Sequence, residues 1–75
     1  KANLADANLT DANLSGAILQ GCDLSGANFT RANLAEANLS GANLSGANLW
    51  YAEMTDTNLE NTVLDNAIGY TPKKK

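Results

Sequence analysis

Bulky apolar residues recur along this chain at every fifth position and nowhere slip. The series runs Leu4, Leu9, Leu14, Leu19, Leu24, Phe29, Leu34, Leu39, Leu44, Leu49, Met54, Leu59 and Leu64, and it contains every Leu in the sequence. Two residues before each stands Ala in ten of the thirteen units, replaced elsewhere by Cys22, Thr57 and Thr62, all small. Between the two stands Asn in nine units, with Ile18, Asp23, Glu53 and Val63 in the others. The unit is Ala-Asn-Leu followed by two variable residues, mostly Ser, Thr, Gly or an acid.

A period of five fits neither standard element. On a helix, a step of five residues moves each apolar side chain by about 140°, which spreads the series around the whole circumference. On a flat strand, side chains alternate with period two, so an odd repeat sends successive leucines to opposite faces. The backbone must therefore turn once per unit. Ala and Leu, two apart, share the inner face of a very short strand, Asn points outward, and the variable pair forms a corner. Gly16, Gly21, Gly26, Gly41 and Gly46 close their units, where a positive φ is tolerated, and Asp, Asn or Glu close most of the rest. Chained corners wind the backbone into a solenoid with an aliphatic axis and a polar exterior. Cys22 takes an inward Ala position and reads as one more small buried group.

These units resemble the pentapeptide-repeat family, over residues 2 to 66. The resemblance implies an all-β fold, a right-handed quadrilateral β-helix with four units per coil and about three coils, which stacks residues twenty apart. The solenoid is expected over 1–66, and 67–75 as a cap remnant with a basic tail. Gly69 stands where the next Leu belongs, and Ile68 and Tyr70 are the bulky groups expected to lie over the last coil. Lys73, Lys74 and Lys75 read as a disordered tail. At the other end Leu4, Leu9 and Leu14 lack an obvious cover. That predicts end-to-end self-association, or further residues upstream that cover this end.

Composition narrows the function more than the fold. The 75 residues hold five Lys or Arg and eight Asp or Glu, with no His and one Cys. A disulfide within the chain and all His-based chemistry are therefore excluded. No apolar run reaches the roughly 18 residues of a membrane span, so a soluble protein is expected, with no membrane partner. No glycine cluster of the phosphate-binding kind is present, and no cofactor is expected. Ser and Thr are plentiful but have no base to activate them, and a convex column offers no cleft for acid or base catalysis. An enzyme is not expected.

Three surface features remain. Five Asn-x-Ser/Thr sequences, at Asn8, Asn13, Asn28, Asn38 and Asn43, are by-products of the repeat; stacked Asn side chains are expected to hydrogen-bond from coil to coil. Glu36, Glu53 and Asp56 fall on one side, but without supporting ligands they do not predict a metal site. The third feature is the stack of Asp11, Arg31 and Tyr51, with Trp50 beside it. Arg31 is expected to pair with Asp11 and lie against Tyr51. Arg31, Trp50 and Tyr51 form the candidate partner-binding patch, since aromatics and Arg are enriched at interfaces.

The repeat column carries one cation, Arg31, against all eight acids, a charge of −7. Direct nucleic-acid binding is therefore not expected. Some members of the family that protect bacteria from quinolones are acidic columns that imitate duplex DNA and occupy type II topoisomerases, which makes such a mimic the alternative function. This chain has about three coils where those have eight or more. The leading expectation is a non-enzymatic scaffold or protein-protein interaction module with an unidentified protein partner.

Overall fold

The computed structural model describes residues 3–70, and the expected tail at Lys73–Lys75 lies outside them. Each unit contributes one extended residue to a parallel bridge, and every bridge joins residues twenty apart: Asn3 to Asp23, Asn8 to Asn28, Asn13 to Asn33, Ile18 to Asn38, and onward to Asn48 with Ile68. Twenty residues at five per unit is four units per coil. The column has four sides. Side 1 stacks Asn3, Asp23, Asn43 and Val63; side 2 stacks Asn8, Asn28, Asn48 and Ile68. Asn13, Asn33 and Glu53 form side 3, and Ile18, Asn38 and Asn58 form side 4.

The corners follow from local backbone chemistry. In each unit the N–H three residues after the Leu donates to the Leu carbonyl, as from Ala7 to Leu4 at 3.0 Å and Ala32 to Phe29 at 2.9 Å. The third residue of every such turn has a positive φ, from Asp6 at 62° through Gly46 at 71° to Asn66 at 61°. Positive φ confined to that residue is the type II pattern. Between corners the coils are joined as a parallel ladder: Phe29 N–H donates to the Asn48 carbonyl at 2.7 Å, and Asn48 N–H to the Ala27 carbonyl at 2.9 Å.

The ladder aims Ala and Leu at the axis. Leu24, Phe29, Leu34, Leu39 and Leu44 are fully buried, with Leu49 and the intervening alanines almost so. Leu4, Leu9, Leu14 and Leu19 at one end, and Met54, Leu59 and Leu64 at the other, are half-buried against this core. Cys22 is 6% exposed, enclosed in the same cluster. Where Thr replaces Ala, its hydroxyl is satisfied inside the column: Thr57 Oγ1 donates to the Leu34 carbonyl at 2.8 Å and Thr62 Oγ1 to that of Leu39 at 2.7 Å.

Two expectations are corrected. The Asn side chains do not form a coil-to-coil ladder. Their Oδ1 atoms accept the N–H two residues on, as from Thr30 to Asn28 at 2.9 Å and Trp50 to Asn48 at 3.0 Å. That N–H sits at the corner, within reach of the Asn in its own unit and nearer than the next coil, so the Asx turn takes the acceptor. Nor does Ile68 cover the last coil. It continues the ladder above Asn48 with its side chain outward and exposed, and Tyr70 packs against the core instead.

Candidate functional site

The corner that follows side 2 differs from the other three. Stacked down the column, its closing residues are Asp11, Arg31 and Tyr51, at φ 62°, 58° and 60°. Each of the other corners contains at least one glycine at that position. Left-handed backbone is nearly free for Gly and mild for Asp, but costs an ordinary side chain about 1–2 kcal/mol. Arg31 and Tyr51 therefore occupy positions that Gly or Asn would fill with less strain.

Arg31 reaches down one coil and grips Asp11 through two bonds, Nε to Oδ1 at 2.8 Å and Nη2 to Oδ2 at 3.1 Å. This hydrogen bonding holds the Asp11 carboxyl below the ordinary carboxylate range and raises the Arg31 guanidinium further. The expected contact of Arg31 with Tyr51 is not made among the described residues. Tyr51 instead meets Trp50, ring centre to ring centre at 4.5 Å and nearly edge-on, with planes at 61°. The guanidinium is committed to a carboxylate one coil below, and the two aromatics adjacent on the corner pack against each other. Trp50 is 57% exposed and Tyr51 73%. Beside them Ile68 is exposed, and Gly69 packs closely on the Trp50 backbone.

The remaining candidates stay apart. Glu53 accepts a hydrogen bond from the Thr55 hydroxyl, and among the described residues no three carboxylate or thiol groups converge as metal ligands. Asp23 is held below its ordinary pKa by the N–H and the hydroxyl of Ser25, in the same Asx geometry that the Asn residues use. Sequence reasoning missed the exposure of Ile18, at 80%, and of Val63 and Ile68. The signal was present, since Ile18 and Val63 replace an outward Asn.

The Pentapeptide repeats family matches in eight copies, over residues 1–26, 7–46 and 42–68. The chain belongs to the pentapeptide-repeat family. It forms the right-handed quadrilateral β-helix of that family. Among solved structures, a pentapeptide repeat protein (Rfr23) from the cyanobacterium Cyanothece 51142 is 40% identical and superposes with a TM-score of 0.85, over 88% of this chain and 46% of that one. A pentapeptide repeat protein from the Arabidopsis thaliana thylakoid lumen is 34% identical with a TM-score of 0.62, over 87% of this chain and 48% of that one. The chain thus spans about half the length of either protein. Among curated proteins none matches the sequence. No helix of the described residues is long and apolar enough to cross a membrane.

Proposed function

We propose that this pentapeptide-repeat column is a non-catalytic protein-interaction module that docks through the corner carrying Arg31, Trp50 and Tyr51. The observation that carries this reading is the exposed Trp50–Tyr51 pair, presented on a corner that accepts backbone strain to hold Arg31 and Tyr51. Strain retained at a surface position points to use of the side chain. A rigid ladder on either side presents the pair at little entropic cost on binding, which favours affinity. The test is capture of a partner from the source organism by immobilised protein. Trp50→Ala or Tyr51→Ala should each remove it, and a partner retained by both variants defeats the reading.

A second reading, an acidic mimic of duplex DNA acting on a type II topoisomerase, draws on the seven acids that remain after Asp11 is paired. Their distribution weakens it. Side 1 and its corner hold Asp6, Asp23 and Asp65, and side 3 and its corner hold Glu36, Glu53 and Asp56. Acids stacked on a side repeat no closer than the coil spacing of about 4.8 Å. Phosphates follow every 1.7 Å or so along the duplex axis. Inhibition of gyrase supercoiling that is lost on neutralising Asp6, Glu36 and Asp56 would reverse the order of the two readings.

A further inference from the structure

The lateral face beside the aromatic corner has spent its carboxamide and carboxylate oxygens and kept its N–H donors. Along side 2 the Oδ1 atoms of Asn8, Asn28 and Asn48 each accept the N–H two residues on, at 3.2, 2.9 and 3.0 Å. The Thr10 and Thr30 hydroxyls donate to the first two of these oxygens as well. Both oxygens of Asp11 are taken by Arg31. Among the described residues the three Asn Nδ2 groups, the Trp50 indole N–H and Nη1 of Arg31 meet no acceptor. We propose that this face binds a proline-rich segment of the partner in the polyproline II conformation, lying along the column axis with one proline ring against Trp50 and Tyr51. The proposal rests on the reading of the Trp50 corner as the docking surface and names the chemistry of what docks there.

Electrostatic complementarity selects this occupant. Proline has no N–H, and polyproline II makes no internal hydrogen bonds, so such a segment turns bare carbonyl oxygens toward a surface of unpaired N–H groups. An ordinary extended strand would bring its own N–H groups against those of the Asn amides and leave both without partners. The spacing agrees. Polyproline II rises about 3.1 Å per residue and returns to the same face after three residues, about 9.3 Å along its axis. Two coils of the column span about 9.6 Å, and two coils separate Asn8 from Asn48, which are linked through Asn28 by successive bridges. A carbonyl that accepts from Asn48 is thus followed, three residues on, by one that reaches Asn8. The aromatic end supplies the grip, since two exposed rings 4.5 Å apart and inclined at 61° are walls against which a proline ring packs. Ligand and ladder are both rigid beforehand, so little freedom is lost on binding. No charge is asked of the ligand, so the match does not depend on the net charge of the column.

Trp50 is the sole Trp of the chain and reports on the site directly. Its emission would be followed while the full chain is titrated with two uncharged, end-capped nonapeptides, oligoproline and alternating Gly-Ser. A saturable change with oligoproline, at least about tenfold tighter than with Gly-Ser, is expected. Tyr51→Ala should weaken it about fivefold or more. Asn8→Asp combined with Asn48→Asp keeps the oxygen that each corner N–H needs, as Asp23 does for the Ser25 N–H at 3.1 Å, but replaces each free donor with an acceptor. That pair should also weaken oligoproline binding about fivefold or more. Asn3→Asp combined with Asn43→Asp makes the same change on side 1 and should leave binding as it was. Equal loss from the two pairs would overturn the proposal, as would Gly-Ser binding as tightly as oligoproline. Saturation seen only after removal of residues 71–75 would make the chain's own Pro72 the occupant and overturn it likewise. Loss of the captured partner in Trp50→Ala, with no change in the emission of the parent chain on adding oligoproline, would overturn this proposal while leaving the docking surface in place.

Discussion

Arg31 and Asp11, twenty residues apart in the chain, lie one coil apart on the same corner and are joined by two hydrogen bonds of 2.8 and 3.1 Å. The pair sets a pH dependence whose sign is fixed. Asp11 titrates below its ordinary 3.8 in the folded state because Arg31 hydrogen-bonds the charged form. Its contribution to stability is therefore complete above that ordinary value and is lost as pH falls through the lowered one. Arg31→Gln should move the Asp11 carboxyl back up, read by carbon-detected NMR titration. An Asp11 titration unchanged by the substitution would contradict the pairing.

At Gly69 there is no room for a side chain. A Cβ there would stand 2.6 Å from the Trp50 N and Cα atoms, which are backbone and cannot swing aside, and its φ is +77°. Gly69→Ala should displace Tyr70 from the core and destabilise the column by about 1–3 kcal/mol. Gly16, at φ +70° with nothing within 4 Å of a Cβ, isolates the backbone cost. Gly16→Ala should cost only about 1 kcal/mol. Thermal melts of the two variants side by side check the difference, and equal melting temperatures would refute the close packing at Gly69.

Leu34 is fully buried at the middle of the axis. Leu34→Ala should cost about 2–5 kcal/mol, the range for a buried Leu truncated in a packed core. Leu34→Asp buries an unpaired carboxylate and should abolish folding, since the whole stability of a small domain is only about 5–15 kcal/mol. Denaturant titration followed by circular dichroism measures both. Unchanged stability in either variant would contradict the inward register.

Cys22 offers a second check on that register from the opposite direction. Its side chain belongs to the buried cluster, so a thiol reagent should modify it only as fast as the column opens. Labelling should be slow in native buffer and immediate in denaturant. Fast labelling of the folded chain would place Cys22 outside.

The fold was legible because period five is incompatible with both helix and flat strand, and because small-polar-large triplets leave one way to divide inside from outside. What periodicity could not supply was the number of sides, which is settled in space by bridges such as Asn28 to Asn48. The site was less legible. The pairing of Arg31 with Asp11 follows from a twenty-residue stack, but the orientation of Tyr51 toward Trp50 is a rotamer choice between two available partners and leaves no trace in the spacing. The Asn positions misled for a related reason. Stacking places like side chains one above another, yet the unpaired corner N–H in each unit competes for the same oxygen and is closer. Ile68 misled because its apolar character suggested a lid, while its place in the five-residue register aims it outward.

Which surface meets the partner is measured most directly by site-specific photocrosslinking. A photoreactive phenylalanine analogue, which keeps an aromatic ring in place of that of Tyr51, would be placed at position 51 on the aromatic corner, and in a second protein at position 20, an exposed Gln on the corner after side 4. Both sites are solvent-facing, so both variants should fold alike. Irradiation in extract of the source organism should yield a discrete adduct from position 51, abolished by Trp50→Ala, and none from position 20. An adduct from position 20 with none from position 51 would contradict the docking surface at Arg31, Trp50 and Tyr51.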